Sequence, residues 1–171
     1  MPIIAVEGMD SSGKTTLISQ LRQTDHSFWC ISRSKPIKTI RELDSFLSWL
    51  DALPHDQLIV LDRHPLVSEK VYGPLLRGKD LTENLDPDII STHLGGGLSR
   101  LIRVIYCRPP SSVIKSNLWK NPQLDGVPEN FLTLLTRYDN VMALLKMGGI
   151  PVIYHDYTSE TDNHISHYLD C

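Results

Sequence analysis

The sequence predicts an α/β fold, a parallel sheet of about five strands with helices on both faces. Three observations carry that expectation. Short, nearly continuous apolar runs recur along the 171 residues, segments with helical apolar spacing separate them, and a glycine-rich turn follows the first run directly. Apolar runs without polar alternation suit strands covered on both faces, which is the situation of a parallel sheet.

The expected strands are IIAV (3–6), FWCI (28–31), LIVL (58–61), LIRVIYC (101–107) and PVIYH (151–155). A helical pattern follows the first, from Thr16 to Leu21. In TIRELDSFLSWLDAL the residues Ile40, Leu43, Leu47 and Leu50 recur at helical spacing, and Trp49 is assigned to the same apolar stripe as core. Phe131, Leu134, Leu135, Tyr138, Val141, Met142 and Leu145 repeat the pattern, closed by Gly148-Gly149 as a C-terminal cap. Asp162 to Leu169 is read as a short final helix, and the triple glycine at 95–97 as a flexible turn. With no repeat, linker or low-complexity tract, residues 1–171 are expected to form one domain.

Composition narrows the function. Apolar content of 41% and charged content of 22% are ordinary for a globular protein. A net charge of −3 without a basic block argues against gripping nucleic acid as the main work. No apolar run approaches the roughly 18 to 20 residues that span a bilayer, and no basic-then-apolar leader is visible, so a cytoplasmic protein is expected. Cys30, Cys107 and Cys171 are scattered and form neither a disulfide framework nor a zinc pattern. The seven histidines lack ligand spacing; His55, His64, His93 and those of the tail are read as surface or hydrogen-bonded turn residues rather than metal ligands.

Gly8-x-x-x-x-Gly13-Lys14-Thr15 fits the pattern of a phosphate-binding loop, and it stands between a strand and a helix as such a loop must. Glycine lets successive N–H groups point at phosphate oxygens, and the helix N-terminus adds its positive end. Ser11, Ser12 and Thr16 complete the loop; Lys14 would reach the β- and γ-phosphates and Thr15 would ligate Mg²⁺. LIVLDRH then ends a buried strand in an acid, so Asp62 would stand beside the loop to hold Mg²⁺ or its water, or to take a proton.

Together EGMDSSGKTT and DRH resemble the thymidylate kinase family of P-loop nucleotide kinases. The matching residues are Glu7, Gly8, Asp10, Gly13, Lys14, Thr15 and Thr16, then Asp62, Arg63, His64, Ser68 and Tyr72. SEKVYGPLLRG looks most like the short bacteriophage proteins of that type, which would put the chain in host cytoplasm. The resemblance implies ATP and Mg²⁺, with Asp10 at the sugar 3′-hydroxyl of a deoxynucleotide acceptor and Arg63 at its phosphate or reacting oxygen. It also implies Tyr72 beside the base, where a core tyrosine is the plainer reading, and Ser68 near the acceptor, where a helix cap is the plainer one.

Three departures follow. The acceptor-phosphate segment reads Ser32-Arg33-Ser34-Lys35-Pro36, which keeps Arg33 as a phosphate ligand without an acidic partner. Ser11 and Ser12 bring no arginine to the transferring group, and the presumed lid (115–128) offers only Lys115 and Lys120. Arg108 in CRPP is the nearest replacement. The chain is also short for the family.

The first expectation is therefore an ATP-dependent kinase of a thymidylate-like pyrimidine deoxynucleotide, monomer or homodimer. The alternative is a kinase of 5-hydroxymethyluracil within DNA, with Tyr72 and Trp119 as walls for an extruded base. An alcohol acceptor of that kind needs a base, Asp62 or Glu7. A nucleotide-dependent switch is the third, although no Asn-Lys-x-Asp guanine-reading element is present. The adenine is expected near Arg108 and HDYTSE (155–160).

Overall fold

The computed structural model describes residues 2–25, 27–32, 36–53, 56–94, 101–120, 125–159 and 165–169. Five parallel strands form one sheet: β1 (Ile3–Glu7), β2 (Trp29–Ser32), β3 (Ile59–Asp62), β4 (Leu101–Cys107) and β5 (Val152–His155). Their spatial order is β2-β3-β1-β4-β5. All five residues of the central strand β1 are buried. Alternate side chains leave its two faces, Ile3 and Ala5 into one apolar cluster and Ile4 and Val6 into another. That double burial is why these strands read as unbroken apolar runs.

Six α-helices are described: α1 (Lys14–Thr24), α2 (Ile40–Ala52), α3 (Pro65–Leu76), α4 (Pro87–Leu94), α5 (Ser111–Leu118) and α6 (Phe131–Met147). The helix α1 and a 3₁₀ turn at Ile165–Tyr168 cover one face through Leu17, Leu21 and Tyr168. On the other face lie α3, α5 and α6, through Val67, Val71, Ile114 and Tyr138 among others. Among the described residues no helix is long and apolar enough to cross a membrane.

Local chemistry sets the helix ends. The Thr39 hydroxyl caps α2 by accepting from the Glu42 N–H, while the Glu42 carboxylate accepts from the Lys38 N–H. Pro65 opens α3, where its missing N–H costs nothing, and His64 Nδ1 accepts from the Leu66 N–H. Ser68 therefore does not cap this helix; it lies within it. Gly148 and Gly149 end α6, Gly149 at φ 87°, as the sequence pattern requires.

Several expectations need correction. Strands β2 and β3 begin and end one residue later than read, so Asp62 is the last residue of β3 rather than the first beyond it. The described part of the final helix is a 3₁₀ turn. Trp49 is 45% exposed rather than core, because Leu43, Leu47 and Leu50 occupy the buried side of α2. His64, His93 and His155 are buried rather than superficial, although His64 is hydrogen-bonded at the turn into α3 as the other half of that reading has it. Residues 95–97, His55 and Cys171 lie outside the described residues, as does part of the lid segment.

Candidate active site

Strand order fixes where a ligand fits. The connection after β1 leads toward β2 and the one after β4 toward β5, so a crevice opens between the carboxyl ends of β1 and β4. The phosphate loop fills that place. A Cβ on Gly8 (φ 142°) would lie 2.7 Å from the Cys107 carbonyl oxygen and 2.5 Å from Ser12 Oγ, so only glycine permits this approach to β4. Gly13 (φ 93°) turns the chain into α1, and Ser11 takes a left-handed φ of 63° at a position without glycine's freedom.

Lys14 is buried, and its Nζ donates to the Met9 carbonyl at 2.7 Å, across the loop. Burial and the neighbouring Arg63 guanidinium push its ammonium down to about 8. Ser12 Oγ is buried without a hydrogen-bond partner, and Thr15 and Thr16 stand exposed on the first turn of α1. An orphaned hydroxyl beside a desolvated lysine at a helix N-terminus fits a polyphosphate that supplies the missing acceptors.

Asp10, Arg63 and Tyr72 come together from three elements. Arg63 Nη2 donates to Asp10 Oδ1 at 2.9 Å and to the Tyr72 hydroxyl at 3.2 Å, and that hydroxyl donates to Asp10 Oδ2 at 3.0 Å. The guanidinium carbon lies 5.2 Å from the Tyr72 ring centre. Burial pushes the Asp10 carboxyl up, but Arg63 and Lys14 outweigh it and hold the group below its ordinary value. Arg63 reaches this position through a left-handed φ of 70°, with its N–H bonded to the Val6 carbonyl. Tyr138 of α6 meets Tyr72 edge-on at 5.8 Å. The Tyr72 ring is buried in the core, the plainer of its two readings, while its hydroxyl belongs to the polar cluster.

Asp62 accepts a hydrogen bond from Ser32 Oγ at 3.0 Å, which orients the carboxylate at the strand end. Glu7 behaves differently. One of its oxygens accepts from the His64 N–H and the other is buried without a partner, and burial pushes the carboxyl up to about 8. A group protonated at neutral pH is a poor base, so Glu7 ties β1 to the start of α3 and leaves Asp62 as the base candidate.

Arg108 follows β4, and Asp139 of α6 clasps it at 3.0 and 3.1 Å while also accepting from the Tyr106 hydroxyl. Sequence reading did not single out Asp139, since a lone acid inside a helix carries no spacing signal. It also passed over Tyr157 as a side chain. That ring lies over Gly13, where an added Cβ would meet it at 2.6 Å, and its hydroxyl accepts from Asn117 of α5 at 2.9 Å. Ser68 lies half-buried on α3, and the Asp10–Arg63–Tyr72 hydrogen bonds do not include it. Trp119 is 73% exposed just after α5, and Arg33 falls outside the described residues.

No protein-family model matches this chain, and no curated protein matches it either. Solved structures do. The YorR protein of Bacillus subtilis, solved in complex with phosphorylated GDP, is 19% identical over 96% of this chain and 91% of its own, with a TM-score of 0.69. Deoxyadenosine kinase from M. mycoides, with the products dCMP and a flexible dCDP bound, is 16% identical over 98% and 97%, with a TM-score of 0.65. The same kinase with bound dATP gives 14%, 99% and 98%, and 0.62. At these identities the likeness shows the fold alone, a P-loop α/β architecture with five parallel strands.

Proposed function

We propose that the protein is an ATP-dependent kinase that transfers the γ-phosphoryl group to a thymidylate-like pyrimidine deoxynucleotide. The observation that carries this reading is the Asp10–Arg63–Tyr72 cluster beside the buried Lys14. A carboxylate held ionised by a guanidinium can accept from a sugar hydroxyl, and the same guanidinium can turn to an anionic acceptor. The known ligands of the fold relatives, phosphorylated GDP and deoxycytidine and deoxyadenosine nucleotides, support the class of acceptor without fixing its base.

Phosphoryl transfer asks for alignment and neutralised charge more than for covalent chemistry. Lys14 and the N–H groups of the loop from Gly8 to Thr16 would hold the donor phosphates. Thr15 and Asp62 would hold Mg²⁺, a hydroxyl and a carboxylate being suitable hard oxygen donors. When bound, Mg²⁺ screens charge on the phosphate oxygens. Arg63 and Arg108 are the cations available to the transferring group, Arg108 after release from Asp139. Arg33 and Ser68 remain acceptor-side proposals on the strength of the resemblance alone.

A second reading, transfer to a 5-hydroxymethyl group of a base in DNA, is favoured by one observation. The groove beside α2 is lined by the exposed Trp49, the half-buried Phe46, and the cations Lys38 and Arg41, which a free nucleotide would not need. Labelled ATP with Mg²⁺ and, separately, dTMP, other deoxynucleoside monophosphates and DNA containing hydroxymethyluracil decides between them. Label in a monophosphate is expected; label in DNA alone would remove the first reading. Lys14→Ala should lower any transfer by at least about 100-fold, since it removes a preorganised cation from a water-poor site.

A further inference from the structure

An open groove of about 740 Å³ runs along α2, lined in part by Pro36, Lys38, Arg41, Ser45, Phe46 and Trp49. Arg41, Ser45 and Trp49 recur every four residues, with Phe46 three before Trp49, so these four share one side of α2, and Lys38 stands just before its cap Thr39. The Phe46 and Trp49 rings lie 5.4 Å apart and are inclined by 36°, with Trp49 nearly half exposed. The core does not require that tryptophan, because Leu43, Leu47 and Leu50 already bury the opposite side of α2. Neither Lys38 nor Arg41 has an ion pair among the described residues. The lining carboxylate, Glu42, is turned to the Lys38 N–H at 2.8 Å as part of the helix cap.

We propose that this groove binds a single strand of DNA, with bases stacked on Trp49 and Phe46 and phosphates on Lys38 and Arg41. The proposal extends the second reading above. A site for a free nucleotide encloses most of its ligand, whereas this one is open along its length. Strand-binding surfaces combine a line of cations with aromatic platforms, and that is the chemistry of this stripe. Pro36 is four residues past Ser32, hence within about 14 Å of the residue that orients Asp62.

The test is fluorescence anisotropy of a labelled oligothymidylate of about twelve nucleotides with the full chain, without ATP or Mg²⁺. Binding is expected at about 50 mM NaCl and should weaken steeply by about 200 mM. The Lys38→Ala, Arg41→Ala double variant should reduce the slope of log affinity against log salt by about 1.4, two phosphate contacts on a single strand. Trp49→Ala should weaken binding about tenfold, and Trp49→Phe should restore most of it. Absence of binding at low salt, or equal affinity in all variants, would overturn the proposal. So would a change of sedimenting mass in Trp49→Ala, which would make the groove an interface between copies. No phosphoryl transfer enters this assay, so it can fail while the kinase reading stands, and the converse also holds.

Discussion

Lys14 is the residue whose chemistry is most exposed to test. Burial, then repulsion by Arg63, lowers its ammonium to about 8, while Asp10 pulls the other way. Below that pH the lysine is charged and ready for a polyphosphate. Above it the free protein carries a neutral amine, and the bound anion must restore the proton. Nucleotide binding should therefore take up a proton, and affinity should fall by up to about tenfold per pH unit above 8 until the bound-state value is reached. Titration calorimetry in two buffers of different ionisation heat measures that uptake directly. Lys14→Met should bind weakly at every pH and lose the dependence. An affinity that stays flat from about pH 7 to 9.5 would mean that Lys14 is not the group that meets the phosphates.

At the scale of elements, the phosphate loop, the segment after β5 and α5 meet at one point. The Tyr157 ring covers Gly13, and Asn117 holds the Tyr157 hydroxyl. Gly13→Ala suffers twice, from a left-handed backbone at φ 93° and from a Cβ 2.6 Å from the ring. A loss of about 1–3 kcal/mol is expected in urea unfolding, and Tyr157→Ala should recover part of it in the double variant. The recovery must be partial, because removing the ring relieves the contact and leaves the backbone strain. Strictly additive losses would mean that the ring moves aside freely. The loop and the strands were legible in the sequence, because a double-covered strand leaves an unbroken apolar run and a phosphate loop leaves fixed glycines. Asp10, Arg63 and Tyr72 were named from the motif, but their mutual hydrogen bonds depend on a left-handed Arg63 that no sequence pattern announces. Trp49 was misplaced for a simpler reason. It is adjacent to Leu50 in the chain but about 100° round the helix from it, and apolar character outweighed that angle in the reading. The role of His64 at a turn was legible, but its burial was not, because that is a tertiary circumstance.

Across the whole molecule, the sheet end beneath the loop sets how stability follows pH. Burial raises the Glu7 carboxyl from 4.5 to about 8, so the folded chain holds a proton there that the unfolded chain has released. Stability from this group is complete below 4.5 and is lost as pH rises through about 8. His64 acts in the opposite sense: burial, then His93, lowers it from 6.5 to about 3, so its contribution is present above 6.5 and is lost as pH falls. The two are joined through the His64 N–H and the Glu7 carboxyl, and their slopes oppose each other between 4.5 and 6.5. Above 6.5 the Glu7 term stands without that opposition until about 8, where Lys14 begins to favour the folded chain. Glu7→Gln keeps an acceptor for the His64 N–H and removes the titration. Its melting temperature relative to the parent chain should be level below about pH 4.5, rise through the neutral range, and exceed the parent by at least about 2–4 °C at pH 8.5. A difference that does not grow with pH would mean that Glu7 is ionised in the folded protein. It would then be a charged neighbour of Lys14 and Asp62, and the case for Asp62 as the base over Glu7 would fall with it.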